Sequence, residues 1–291
     1  MGTARAALIL TAFLLLSLPL MPVQALLIRL APDAARRLPN WYHRGVCRLM
    51  GIRLSVVGEL PAGRAVLIAA NHTSWLDIPV LSALAPVSFI AKKEVACWPF
   101  VGTLARLQRT VFVDRTRRTA VGPTTDELAN RLYGGDTVVL FAEGTSSDGN
   151  RLLPFMSSLF AAVAKHDSPA QVTIVPLAVA YKRRHGVCLG REQRREVAWY
   201  GDMEMRRHAW SVLRDGPLEI EIRIGTPLAT TDRRDRKRLA ETAEADTRRL
   251  LITALRGLQT DAVFQIATGM SRTGPSTRPG SRRDGAHGSY T

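Results

Sequence analysis

The sequence predicts an α/β fold, built on a central mixed β-sheet that is flanked by helices. Two apolar runs of strand length, at residues 65–70 and 137–141, each lead directly into a polar segment. Buried strands that end in polar loops are typical of α/β folds, whose reactive groups usually lie at strand ends. A third run, Leu218–Ile224, alternates apolar and charged residues and therefore predicts a half-exposed strand.

The remaining elements follow one another along the chain as such a fold requires. Residues 33–50 show the pattern of an amphipathic helix, with an apolar stripe that runs from Trp41 to Met50. Gly134 and Gly135 predict the end of a helix that begins near residue 120. Further helices are predicted at residues 76–84, 99–107, 156–166 and 232–258, and further strands at residues 52–57, 87–91, 111–113 and 171–180.

The first polar segment contains a histidine and a carboxylate in the run Asn71-His72-Thr73-Ser74-Trp75-Leu76-Asp77. A histidine can accept a proton from a hydroxyl near pH 7 if a carboxylate fixes its tautomer and supports its charged form. Positions five apart diverge by about 140° on a continuous helix, so His72 and Asp77 can meet only across a turn. Ser74 or Thr73 can cap a short helix that carries Asp77 in its first turns. The spacing alone favours the alternative, a solvated histidine and a capping aspartate.

The second polar segment surrounds a glycine with one carboxylate and small hydroxyl residues, in the run Phe141-Ala142-Glu143-Gly144-Thr145-Ser146-Ser147. With both segments, the chain resembles the glycerolipid acyltransferase family, whose acceptors include 1-acylglycerol-3-phosphate. Two further blocks match in the family's order, Phe112-Val113-Asp114-Arg115 and Ile174-Val175-Pro176-Leu177. The resemblance covers most of residues 40–230 and implies a glycerol-3-phosphate acyltransferase-type fold.

One departure from the family's pattern bears on the acceptor. Ser146 replaces the arginine that the family is expected to use for the acceptor's phosphate. Residues 143–151 and 198–203 look like the bacterial branch that acylates lyso-ornithine lipid, whose headgroup has no phosphate ester. The resemblance therefore implies lyso-ornithine lipid as the acceptor. 1-Acylglycerol-3-phosphate remains the alternative, because Arg115 or Arg151 could supply a phosphate-binding charge.

The resemblance also implies a role for each site residue. His72 is the general base for the acceptor hydroxyl, and Asp77 orients its imidazole. Lys92 corresponds to a family lysine that helps to polarise the thioester carbonyl. The other residues expected to bind substrate are Asn71, Arg115, Glu143, Gly144, Thr145 and Ser146. No metal and no resident cofactor is expected, since the co-substrate is a thioester of acyl carrier protein or coenzyme A.

Two other classes of function compete with acyl transfer. A serine hydrolase requires Gly-x-Ser-x-Gly at a strand-to-helix turn, and residues 144–148 lack the final glycine. A non-enzymatic, membrane-tethered lipid-binding protein would tolerate the loss of His72.

Composition limits the partners. The net charge of +15 and the pI near 10.8 favour acidic partners, such as anionic lipid headgroups or an acidic carrier protein. Aromatic residues make up only 6% of the chain and no nucleic-acid motif occurs, so nucleic acid is not an expected partner. The three cysteines are widely separated, which argues against a zinc site or a disulfide framework and for a reduced domain that faces the cytoplasm.

An apolar stretch at residues 6–28 is flanked by arginines and interrupted by Pro19 and Pro22. It reads either as a signal peptide cleaved after Ala25 or as a retained helix that enters one leaflet and breaks at the prolines. We favour retention, because acyl thioesters are cytoplasmic. The expected segments are a membrane anchor (1–40), an acyltransferase domain (41–262) and a disordered basic tail (263–291). The expected location is the bacterial inner membrane, with the catalytic domain on its cytoplasmic face.

Overall fold

The central sheet is seen in a computed structural model that describes residues 2–62, 65–113, 121–160, 172–228, 235–257 and 263–266. The helices are α1 Gly2–Leu30, α2 Pro32–Met50, α3 Asp77–Leu84, α4 Val101–Leu107, α5 Val121–Tyr133, α6 Arg191–Val197, α7 Met205–Asp215 and α8 Arg236–Leu255. The strands are β1 Arg53–Val57, β2 Val66–Ala70, β3 Val87–Lys92, β4 Val111–Val113, β5 Thr137–Phe141, β6 Thr173–Arg184, β7 Val187–Cys188, β8 Leu218–Ile224 and β9 Val263–Ile266. Short 3₁₀ helices lie at Lys93–Cys97 and Ser157–Phe160.

The sheet is mixed, as predicted, and its parallel half positions the polar segments. Its strand order is β4-β3-β5-β2-β6-β8-β1-β9, with β7 paired to β6. Strands β2 to β6 run parallel, whereas β8 is antiparallel to β6 and parallel to β1. The carboxyl ends of β2, β3 and β5 therefore meet at one edge of the sheet. This edge brings together residues that lie about 70 positions apart in the chain.

Helices cover both faces of the sheet, so the central strand β2 is buried throughout. Its residues Ile68 and Ala70 face a core shared with α2 and α3, whereas Leu67 and Ala69 face a core shared with α5 and α8. An uninterrupted apolar run is typical of a parallel strand that is covered on both faces. The three-layer packing explains why this strand shows no alternation in the sequence.

Helix α1 is continuous, so the break expected at Pro19 and Pro22 is wrong. Proline removes one helical hydrogen bond and strains the preceding turn, but side-chain contacts hold the helix on both sides of the prolines. The hydroxyls of Ser17 and Tyr42 lie 2.6 Å apart. The amide of Gln24 donates to the carbonyls of Ala35 and Leu107, both at 2.9 Å.

The outward side of α1 is apolar and exposed. Leu8, Leu15 and Leu30 are each at least 70% exposed. By length and composition, α1 is the one helix among the described residues that could cross a membrane. These leucines therefore form an exposed apolar surface that runs along most of α1.

The structure also differs from several expected elements. Strand β6 extends to Arg184, and the sequence reading missed α6, α7, β7 and β9. The helix expected at residues 156–166 is a 3₁₀ helix in its described part, and the rest lies outside the described residues. Trp41, expected on the apolar stripe of α2, is 61% exposed, whereas Val46 and Met50 of the same stripe are buried.

The expected segment boundaries fall within packed elements. The boundary placed between residues 40 and 41 lies inside α2, which contacts both α1 and α3. Residues 263–266, assigned to the tail, form β9 and pair antiparallel with β1. Residues 267–291 lie outside the described residues.

Candidate active site

Asn71 fixes the end of β2. Its side-chain Oδ1 accepts the N–H of Val179 at 2.8 Å, and its Nδ2 donates to the carbonyl of Val179 at 3.1 Å. We expected Asn71 to bind substrate. The structure instead buries it and uses both polar groups of its amide to pin β2 to β6. The residue that follows, His72, therefore starts from a rigid strand end.

His72 and Asp77 meet across a turn, as their spacing required. The Nδ1 atom of His72 lies 2.8 Å from Oδ2 of Asp77, and the carboxylate is fully buried. The same oxygen accepts the backbone N–H groups of Thr73, at 2.7 Å, and Ser74, at 3.0 Å.

The helix cap expected from the hydroxyl of Thr73 or Ser74 is wrong. Neither Thr73 nor Ser74 caps α3 through its hydroxyl, and the residue before the helix, Leu76, makes no side-chain cap. Asp77, the first residue of α3, instead accepts backbone donors from the turn before it. A buried carboxylate is a stronger acceptor than a hydroxyl, and a negative charge is favoured at a helix N-terminus.

The imidazole of His72 is held so that one nitrogen remains for chemistry. Because the Asp77 carboxylate accepts from Nδ1–H, Nε2 carries the free lone pair in the neutral ring. The ring stacks on Phe141, with centroids 4.0 Å apart and planes inclined by 16°. The side chain of His72 is 18% exposed, so the ring is reachable from solvent. This arrangement can remove a proton from a hydroxyl group.

Glu143 joins the two polar segments. Its Oε1 accepts the backbone N–H of His72 at 2.7 Å, and its Oε2 accepts that of Leu153 at 2.8 Å. The side chain is only 4% exposed. Burial is the largest effect on its carboxyl group and raises the pKa of Glu143 to about 8, against the lowering effect of the two backbone N–H groups. Glu143 is expected to contact substrate, and in the structure it contacts the backbone of the segment that carries His72.

The loop after β5 lies directly against the segment that carries His72. The backbone N–H of Ser147 donates to the carbonyl of His72 at 2.8 Å, and its hydroxyl lies 3.2 Å from the same oxygen. Gly149 has φ +74°, and a Cβ there would lie 2.9 Å from the methyl group of Thr73. Only glycine suits both the backbone angle and this close approach.

The other expected substrate-binding residues lie at the same edge of the sheet where the structure describes them. Gly144 has φ +72°, in the turn that follows β5. Thr145 is exposed and Ser146 is partly exposed. Lys92 ends β3 with an exposed side chain. Arg115 lies outside the described residues.

An aromatic pair borders this edge. The rings of Trp98 and Trp199 meet edge to face with centroids 6.0 Å apart. The backbone N–H of Trp199 donates to the carbonyl of Thr73 at 2.9 Å, so the pair adjoins the turn after His72. Phe100, two residues after Trp98, packs against Phe13 of α1, with ring centroids 6.1 Å apart.

Tyr181 belongs to the site, and the sequence reading missed it. Its hydroxyl donates to Oδ1 of Asp77 at 2.6 Å. A signal was present, because Val175, Leu177, Val179 and Tyr181 share one face of β6 by simple alternation. The tyrosine is the polar member of that face, but only the packing of α3 against the sheet shows that Asp77 meets it.

Comparison with known proteins agrees with this geometry. A family model described as Acyltransferase matches residues 53–180. The lyso-ornithine lipid O-acyltransferase of Brucella abortus is 49% identical over 88% of this chain and 97% of its own length. That of Rhizobium meliloti is 43% identical over 87% of this chain and 88% of its own length.

More distant relatives share the fold with another named acceptor. The 1-acyl-sn-glycerol-3-phosphate acyltransferase of Neisseria meningitidis is 32% identical over 75% of this chain and 82% of its own length. The crystal structure of the 1-acyl-sn-glycerophosphate acyltransferase of Thermotoga maritima matches with a TM-score of 0.58 and 21% identity, over 84% of this chain and 95% of that one. This similarity supports the fold.

Proposed function

We propose, from the premise that this chain belongs to the Acyltransferase family, that it moves a fatty acyl group from a thioester to the hydroxyl of lyso-ornithine lipid. The observation that carries the proposal is the His72–Asp77 pair at the carboxyl edge of the parallel strands, 2.8 Å apart, in a chain 49% identical to a lyso-ornithine lipid O-acyltransferase over nearly its whole length.

The geometry supports a direct transfer. Nε2 of His72 takes the proton of the acceptor hydroxyl as its oxygen forms a bond to the thioester carbonyl carbon. The Asp77 carboxylate stabilises the resulting imidazolium through Nδ1–H. The tetrahedral intermediate then collapses, the carbon–sulfur bond breaks, and the departing thiolate receives the proton from His72. The acyl group thus moves from the thiol sulfur to the acceptor oxygen, and the proton moves from the acceptor oxygen to the thiol sulfur.

We propose that Lys92 assists at the carbonyl oxygen. It ends β3 at the edge of the sheet that carries His72, and its side chain is exposed there. An ammonium near the carbonyl stabilises the negative charge that develops on the oxygen in the transition state. Glu143 and Asn71 act through the backbone that they hold.

The acceptor proposal rests on Ser146 and on the relatives. A planar guanidinium is the favoured partner of a phosphate group, and this chain has a partly exposed serine where the family carries that arginine. The relatives at 49% and 43% identity are named for lyso-ornithine lipid, and the relative from Neisseria meningitidis at 32% for 1-acylglycerol-3-phosphate. A zwitterionic amino-acid headgroup fits the serine better than a phosphomonoester.

The protein is membrane-associated through its apolar N-terminal helix and takes a lysolipid acceptor and an acyl donor. We assign the donor as a thioester of acyl carrier protein or coenzyme A, since the net charge of +15 attracts either anion. We place the enzyme on the cytoplasmic face of the inner membrane, where these thioesters are made. The exposed leucines of α1 then lie among lipid chains.

One assay tests the acceptor and the donor together. Purified full-length protein in detergent is offered lyso-ornithine lipid or 1-acylglycerol-3-phosphate, each with acyl carrier protein and with coenzyme A thioesters. We expect the higher kcat/KM with lyso-ornithine lipid. The reverse order would contradict the acceptor and leave acyl transfer standing, whereas no product from any pair would contradict acyl transfer itself.

A further inference from the structure

We propose that Tyr181 is a positioning residue for acyl transfer, which holds the Asp77 carboxylate in the orientation that His72 requires. The proposal rests on the His72–Asp77 chemistry set out above. Tyr181 lies on β6 and is 2% exposed, so its phenol ring is fixed by the core. Its hydroxyl lies 2.6 Å from Oδ1 of Asp77.

The two oxygens of Asp77 have different partners. Oδ2 receives three donors: Nδ1–H of His72 and the backbone N–H groups of Thr73 and Ser74. Oδ1 receives the hydroxyl of Tyr181, and among the described residues it has no other hydrogen-bond donor. The torsion that rotates a carboxylate about its last carbon–carbon bond has broad minima. A donor on each oxygen therefore fixes the plane that the imidazole of His72 must meet.

The direction of the hydrogen bond follows from the surroundings of the phenol. Burial, followed by the charge of Asp77, raises the pKa of Tyr181 well above its usual value, so the phenol keeps its proton and donates it. A hydrogen bond from a neutral donor to an ionised carboxylate is stronger than one between neutral groups.

Removing the hydroxyl has two consequences. Oδ1 becomes a buried acceptor without a donor, and the carboxylate is free to rotate away from His72, so kcat falls. With that rotation the hydrogen bond from Nδ1–H of His72 to Asp77 lengthens and weakens. Substrate contacts are unchanged, so KM stays near the wild-type value.

Other titratable groups face this pair. Glu143 interacts with Asp77 from the end of β5, and burial raises its pKa to about 8. Cys47 faces Tyr181 from α2, and burial raises the pKa of its thiol to about 12. Because Glu143 titrates near the pH of the assay, the test uses one fixed pH and a measurement made on the His72 ring itself.

The test compares Tyr181→Phe with Tyr42→Phe in the full-length protein. Tyr42 is the matched control, because its hydroxyl makes an equally short bond of 2.6 Å, to Ser17, away from Asp77. We expect Tyr181→Phe to lower kcat by roughly 10- to 100-fold, the range found when the partner that orients a metal-bound histidine is removed. KM should stay within about threefold, and the NMR signal of the Nδ1 proton of His72, which reports its hydrogen bond to Asp77, should move upfield or be lost to exchange. A kcat within twofold of wild type with an unchanged Nδ1 proton signal would overturn the proposal.

A double-mutant cycle separates positioning from a general packing effect. If Tyr181 acts through Asp77, Tyr181→Phe costs little further activity in an Asp77→Asn background. An equal loss in both backgrounds would show that the tyrosine acts elsewhere. Should Tyr181→Phe fail to fold, 3-fluorotyrosine at position 181 keeps a hydroxyl donor for Oδ1, so it must retain the Nδ1 proton signal of His72 and a KM near that of wild type, and loss of that signal would contradict us. The NMR measurement uses no acceptor lipid, so its result stands apart from the identity of the acceptor.

Discussion

The buried carboxylate of Glu143 accepts the backbone N–H of His72 at 2.7 Å and that of Leu153 at 2.8 Å. One side chain thus ties the segment that carries His72, the proposed base, to the loop after β5. Both oxygens of Glu143 accept backbone N–H groups, so this side chain fixes the backbone from which the imidazole of His72 extends. The acid of the second polar segment therefore shapes the site through the backbone.

The burial of Glu143 makes stability depend on pH. The pKa of Glu143 is raised from 4.5 to about 8, so between these values the folded protein retains a proton that the unfolded chain has lost. Stability from this group is full below about pH 4.5 and is lost as the pH rises through 8. The free energy of unfolding should fall with pH by at most about 1.4 kcal/mol per unit from this one group.

Glu143→Gln removes the titration, so its thermal midpoint in detergent should change less between pH 5 and pH 8 than that of wild type. Glu127→Gln, on an exposed side chain of α5, is the control and should follow the wild-type curve. Parallel curves for wild type and Glu143→Gln would show that Glu143 is ionised in the fold.

His72→Ala should reduce kcat by about 10²- to 10⁴-fold, the usual contribution of a general base, without loss of folding or of membrane association. His185→Ala removes an exposed histidine and should retain activity. Rates are measured with purified proteins and a labelled acyl donor. Near-normal turnover of His72→Ala would exclude His72 as the base. A lipid-binding protein without enzymatic activity would show no turnover in wild type either, and its lipid binding would survive the loss of His72.

Ser146→Arg should move the acceptor preference toward 1-acylglycerol-3-phosphate. One regained charge-assisted hydrogen bond to the phosphate is worth roughly 1 to 3 kcal/mol, read as the change in the ratio of kcat/KM for the two acceptors. Ser158→Arg adds the same charge at an exposed position nearby and should leave the ratio unchanged. Equal ratios in both variants would point to another residue, such as Arg151, as the partner of the headgroup.

The exposed leucines of α1 should contribute to membrane binding and little to folding. Leu15→Glu with Leu18→Glu places two charges on the outward side of α1, where Leu15 is 70% exposed. The variant should leave membranes in high salt, because the remaining attraction of the basic surface is screened. Val187→Glu, 71% exposed on β7, is the control. An unchanged, salt-resistant membrane fraction for the α1 variant would place the anchor elsewhere.

Local pattern was enough for much of this protein. The apolar runs predicted the buried strands, and the alternation at residues 218–224 predicted the bounds of β8. The half-exposed strand expected there is wrong, because Glu221 and Arg223 pair with each other in a buried position. The His72–Asp77 spacing predicted a turn, because five positions on a helix cannot face each other. These features depend on neighbours in the chain, so periodicity and spacing suffice to recognise them.

Tertiary structure decided which side chains serve the chemistry and which serve the frame. Tyr181 lies 104 residues from Asp77 and Glu143 lies 71 residues from His72, and both contacts exist only because parallel strands end at one edge. The sequence pattern indicates a substrate ligand at Asn71, whereas in the structure both polar groups of its amide bond to the backbone of Val179 on β6. The prolines of α1 looked like breaks until Ser17 and Gln24 proved to hold the helix against α2 and α4. Burial and long-range partners set the role of a polar group, and neither can be read from its neighbours in the chain.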